Sequence, residues 1–163
     1  MLLIISILIS FQSTLSELVG VRIKYELASQ SEQAAIELKN YLQPRIGESP
    51  QMAGYAAALQ IMMAKYYFNP LSKYDAFQKG KTQLDLLIDK YPKEIELYYL
   101  RFSIQCNTPV FLGYNTSIYS DKKFMLNNIA NLKDRDLQKR IVAFLISSNK
   151  LTPDEIKQLK AHA

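Results

Sequence analysis

Apolar positions along this chain recur at three- and four-residue spacing, the period of a helix with one buried face; the alternation of a half-buried strand is absent. Phe77, Gly80, Leu84, Leu87, Ile88 and Tyr91 form one such stripe, with Lys79, Lys81, Asp85 and Asp89 on the opposite face. That helix is expected to pack on one side only. Ile95, Leu97, Tyr98, Tyr99, Leu100, Phe102 and Ile104 instead surround their helix, which predicts a central element sandwiched between neighbours. Upstream, Ala53, Gly54, Ala56, Ala57 and Ala58 carry little bulk and allow close backbone approach, before Ile61, Met62 and Met63 fill the remaining space.

Helix punctuation divides the pattern. Ser29-Gln30-Ser31-Glu32 has capping-box spacing and predicts a helix from near Gln30 that stops before Pro44. Ser49-Pro50 and Thr152-Pro153-Asp154-Glu155 each place an N-cap before a first-turn proline. Asn69-Pro70 reads as the end of one helix, Ser72-Lys73-Tyr74-Asp75 as the start of the next, and Pro92 as its stop. The result is an all-α chain of stacked antiparallel helix pairs over residues 15–42, 50–91, 93–132 and 134–161. Counting the N-terminal segment, that is about seven to eight helices, in the pairwise arrangement that repeat proteins use.

At Gly80, Leu84, Leu87 and Pro92 the chain resembles the second helix of a tetratricopeptide repeat: a small residue, a bulky apolar one four later, another residue seven later, and a terminating proline. The likeness covers about residues 50–132 and departs from the family at Leu87, where Ala is preferred. Asn69-Pro70, Leu100-Arg101-Phe102 and Phe111-Leu112-Gly113-Tyr114 with Asp121 are similar to segments of small exported bacterial helical proteins of unknown function. This resemblance implies an exported helical domain and supplies no activity.

The N-terminus agrees with that implication. Met1 to Phe11 is an uncharged apolar run followed by Gln12-Ser13-Thr14-Leu15-Ser16, which has the length and flank of a signal-peptide core. The expected organisation is a leader over residues 1–16, a single helical domain over 17–163, and a bacterial periplasmic location without a transmembrane span after processing. The run is shorter than the roughly 20 apolar residues a membrane span needs. The alternative is a buried N-terminal helix in a cytoplasmic protein.

Chemistry is sparse. The 163 residues include one cysteine, Cys106, and one histidine, His162, so disulfides, thiolate-rich metal clusters, histidine zinc sites and His-based triads lack their parts. No enzyme activity, cofactor or metal is expected. Net charge is +5, but no basic run exceeds two residues, which argues against a nucleic-acid stripe. Asp85, Asp89, Glu94 and Glu96 could pair carboxylates, yet their pattern places them on solvated faces. Arg101 lies on the otherwise apolar helix and needs an anionic partner, for which Asp121 is the first candidate.

The segment 107–117 contains Val110, Phe111, Leu112 and Tyr114, unusually apolar for a connection. It is expected either to fold over the core as a lid, with Gly113 at positive φ, or to present an aromatic patch. The interaction candidates are therefore Arg101, Phe111, Leu112, Tyr114 and Asp121. The expected function is a non-enzymatic module binding a protein or peptide partner; the alternative is a carrier of a lipid or other hydrophobic ligand in a helical pocket.

Overall fold

Hydroxyl, amide and proline residues partition the chain into helices wherever a side chain can replace a missing backbone partner. The computed structural model describes residues 2–160, with side chains from Leu15 onward. Within these lie eight α-helices and no strand: α1 (Leu2–Ala28), α2 (Glu32–Leu42), α3 (Pro50–Met63), α4 (Pro70–Lys90), α5 (Ile95–Asn107), α6 (Ile118–Asn128), α7 (Arg135–Ser147) and α8 (Pro153–Lys160). The expected leader falls almost wholly on side chains outside this description, as does His162. Among the described residues no helix is long and apolar enough to cross a membrane.

Two expected helix starts move. The N-cap of α2 is Ser31, whose hydroxyl accepts from the Ala34 amide; Ser29 instead closes α1 by donating to the Glu26 carbonyl. Two serines two residues apart compete for one role, and the one followed directly by helical residues takes it. Asn69-Pro70 opens α4 rather than ending α3. The Asn69 Oδ1 accepts from Leu71 at 2.8 Å and the Asn69 carbonyl from Lys73 at 3.0 Å, while Pro70 occupies a first-turn position that needs no N–H. Ser49 caps α3 as expected, and Thr152 and Glu155 exchange both bonds of a capping box at α8.

The chain forms two compact units, Met1–Gln83 and Leu84–Ala163, and the division falls within α4. In the first, α1, α2 and α3 pack mutually around Val21, Leu38, Leu42, Tyr55 and Leu59, with Tyr25 edge-on to Tyr55. Glu17 of α1 accepts hydrogen bonds from Tyr41 and Arg45, and Arg45 also stacks over the Tyr41 ring. The small-residue stretch of α3 serves close approach, for a Cβ at Gly80 of α4 would lie 2.6 Å from the Ala57 carbonyl oxygen and 2.9 Å from the Ile61 nitrogen.

In the second unit α5 is the central helix, packing on α6 and α7. Phe102, Met125, Ile129, Leu137, Ile141 and Leu145 make the core, and Leu159 brings α8 onto it. Phe124 of α6 stacks on Tyr98 with ring centroids 4.0 Å apart. Lys122, buried on α6, donates to Glu155 and to the Lys150 carbonyl, which fastens the start of α8.

Because backbone atoms line the contact at Gly80, Gly80→Ala is expected to lower stability by about 1–3 kcal/mol. Gly20→Ala on α1, with nothing within 4 Å of the added carbon, should be neutral or stabilising. Urea unfolding of the two variants in parallel separates overpacking from a general intolerance of alanine.

Candidate functional site

The charge pattern of α5 determines the main polar cluster of the second unit. Arg101 occupies the helix between the buried Leu100 and Phe102, so its side chain leaves the core sideways toward α6. There Asp121, in the first turn of α6 and fully buried (0% exposed), accepts from Arg101 Nε at 2.8 Å and Nη2 at 2.7 Å. This is a bidentate fork, the geometry that makes guanidinium–carboxylate pairs specific. Arg101 Nη1 donates to Asp85 Oδ1 at 3.0 Å, and the Tyr114 hydroxyl lies 3.4 Å from the same oxygen.

Electrostatics follow from burial and pairing. Burial opposes the charge of Arg101, but the hydrogen bonds and charges of Asp121 and Asp85 outweigh it and hold the guanidinium more firmly protonated than usual. For Asp121, burial pushes the carboxyl above its ordinary value while Arg101 pulls it down. Burial and the Asp85 charge together raise the Tyr114 hydroxyl, which stays protonated and able to donate. Asp85 was expected on a solvated face and is instead the shared acceptor. Glu96 departs from the same expectation, being buried, whereas Asp89 is exposed. Nothing in the spacing of α4 marks Asp85 as different from Asp89, because the distinction arises from which side α5 and the following loop approach.

The loop divides. Pro109 leads into a 3-10 turn, Val110–Leu112, closed by hydrogen bonds from the Leu112 amide to the Pro109 carbonyl and from the Gly113 amide to the Val110 carbonyl. Gly113 has φ +65°, the left-handed conformation that turns the chain inward and favours glycine. Tyr114 is then buried at 3% exposure, but Phe111 is 86% exposed, with Val110 and Leu112 beside it also exposed. The lid expectation is corrected at Val110, Phe111 and Leu112: only Tyr114 folds in. Of the five candidates, Arg101, Asp121 and Tyr114 meet in one network, whereas Phe111 and Leu112 face away from it.

The remaining chemistry is modest. Burial raises the half-buried Cys106 thiol against the opposing charge of Lys150, which favours the thiol over the nucleophilic thiolate. Among the described residues no group of three or more His, Cys, Asp or Glu could hold a metal ion. In the first unit a surface cavity of about 280 Å³ is lined by Gln60, Tyr67, Ser72, Asp75, Ala76 and Lys79. Its polar walls and small size lie outside the usual character of a hydrophobic-ligand pocket.

These features define an all-α protein of packed helix pairs whose polar cluster gives three of the five Arg101 N–H donors to Asp121 and Asp85. No protein-family model, curated protein or solved structure matches the chain.

Removing Arg101 leaves the Asp121 carboxylate buried without its cation, so Arg101→Ala should destabilise by about 3–5 kcal/mol at neutral pH. In that variant the Asp121 carboxyl moves further above its unfolded value, so its neutral form is favoured by folding. The loss should therefore shrink as pH falls through the raised value toward the ordinary aspartate range. Urea titrations of both proteins at several pH values between mildly acidic and neutral measure this convergence.

Proposed function

We propose that this protein is a non-enzymatic interaction module, exported to the bacterial periplasm, which docks a protein or peptide partner through the projecting turn Val110–Leu112. The observation that carries this reading is the 86% exposure of Phe111 on a turn whose next aromatic residue, Tyr114, is anchored at 3% exposure. Aromatic side chains dominate binding when they fill a partner's pocket, and a turn fixed in advance loses little conformational entropy on docking. The network beneath it supports the same reading. Arg101, Asp121, Asp85 and Tyr114 hold the base of the loop, so binding needs no rearrangement of the core.

The close approach of α3 and α4 at Gly80 supports a tetratricopeptide-like reading of that pair, in which a small residue sits where two helices touch. The alternative, a carrier for an apolar ligand, draws no support from the polar-walled cavity near α4. A non-enzymatic role is favoured by the pairing of Arg101 with Asp121 and Asp85 and by the raised thiol of Cys106.

Phe111→Ala should leave the unfolding midpoint within about 0.5 kcal/mol of the parent, as expected for an exposed side chain, while abolishing site-specific photocrosslinking of the turn to an envelope protein. Tyr114→Ala should instead destabilise by about 3–5 kcal/mol, because it empties a buried site. A Phe111→Ala variant that crosslinks its partner as well as the parent does would overturn the docking role.

A further inference from the structure

The close approach of α3 and α4 at Gly80 borders the cavity of the first unit, for Gln60 and Lys79 on its walls immediately precede Ile61 and Gly80 at the contact. Ser72, Asp75, Ala76 and Lys79 line it at the spacing i, i+3, i+4 and i+7, so one stripe of α4 makes a wall. Gln60 comes from α3, and Tyr67 from the connection between the two helices. Ala76 is the one buried member and contributes only a methyl group, which leaves the space beside it open. All six residues belong to the unit Met1–Gln83.

The polar side chains of this cavity are uncommitted. Among the described residues, Gln60, Tyr67, Ser72, Asp75 and Lys79 make no side-chain hydrogen bond or ion pair. Asp75 and Lys79 stand at i and i+4, where opposite charges commonly pair, as Asp136 and Arg140 do on α7 at 2.8 Å. Here the carboxylate and the ammonium line one cavity without closing on each other. A simple anion attracted by Lys79 would meet Asp75, and a simple cation attracted by Asp75 would meet Lys79. A ligand carrying both signs pairs both groups, while Gln60, Ser72 and Tyr67 can donate to or accept from the polar atoms between its charges. At about 280 Å³ the cavity falls just under the usual range of small-molecule sites, which sets an upper size near that of a dipeptide. The geometry points to this cavity as a site for a small zwitterion, an amino acid or dipeptide whose ammonium pairs with Asp75 and whose carboxylate pairs with Lys79. The site is separate from the Val110–Leu112 turn and does not depend on its role.

Glycylglycine is the probe. N-acetylglycylglycine keeps its carboxylate without the ammonium, glycylglycinamide keeps the ammonium without the carboxylate, and glucose is an uncharged control. In NMR titrations of the isotope-labelled full-length protein at constant ionic strength, glycylglycine should shift the Gln60 side-chain amide and the backbone amides from Ser72 to Lys79. The shifts should saturate with Kd on the order of 10 mM, since both charges are exposed. Each singly charged analogue should bind about fivefold more weakly, and Asp75→Asn and Lys79→Gln should each weaken glycylglycine by about fivefold. Because these side chains are exposed and unpaired, both variants should keep the parent's unfolding midpoint and its spectrum away from the cavity. Equal affinity for glycylglycine and either capped analogue would overturn the proposal. So would the absence of saturable shifts at several hundred millimolar glycylglycine, which would make the cavity a solvated cleft, or saturation by glucose at lower concentration, which would make it a polyol site.

Discussion

A carboxylate removed from water must be matched by a cation, and Asp121 imposes that condition on the unit Leu84–Ala163. Its partner, Arg101, projects from the central helix, so the pair fixes α5 against α6 at a single register. The third donor of the guanidinium reaches Asp85 at the end of α4, and the Tyr114 hydroxyl approaches the same carboxylate from the loop. One buried charge thus determines where three helices and a connection meet. The apolar core of Phe102, Met125, Ile129 and Leu145 supplies most of the driving force, but apolar contacts alone tolerate sliding.

The same constraint explains how a loop can be apolar and exposed without collapsing. Tyr114 is buried with its hydroxyl 3.4 Å from Asp85, and Gly113 supplies the backbone reversal that places it there. With the chain anchored on that side and Pro109 on the other, the intervening 3-10 turn has no path back to the core. Val110, Phe111 and Leu112 therefore face outward as a geometric consequence of the anchor. Burial of one aromatic residue and exposure of its neighbour are two results of a single fixed turn.

Helix number and pairing were legible in the sequence, because apolar period and capping chemistry are local properties. Ser49, Pro92 and Thr152 act where their neighbours predict. The misplaced starts show where local signals compete: Ser29 and Ser31 offer the same hydroxyl two residues apart, and Asn69-Pro70 can close one helix or open another. At the site, the need of Arg101 for a carboxylate was readable, since a guanidinium amid Leu100 and Phe102 requires one. Asp85 was not, because one acid on a polar stripe looks like the next until the tertiary approach of α5 singles it out. The fate of Phe111 was also hidden, for it depends on how far Tyr114 is pulled in, which hydrophobicity does not encode.

The network also sets what its arginine can do. A guanidinium has five N–H donors, and three directions of approach are already taken by Asp121 and Asp85. An external anion approaching on the Nη1 side would compete with Asp85, the more exposed of the two carboxylates, whose Oδ1 also lies 3.4 Å from the Tyr114 hydroxyl. Binding an anion there would consequently weaken one of the polar contacts at the base of the turn that carries Phe111. The two uses of this region oppose each other: an Arg101 paired with Asp85 supports the turn, and one that gives Asp85 up to a ligand would support it less. Because Asp121 is fully buried and cannot be left alone, its fork to Arg101 is the part of the network that the fold holds in either case.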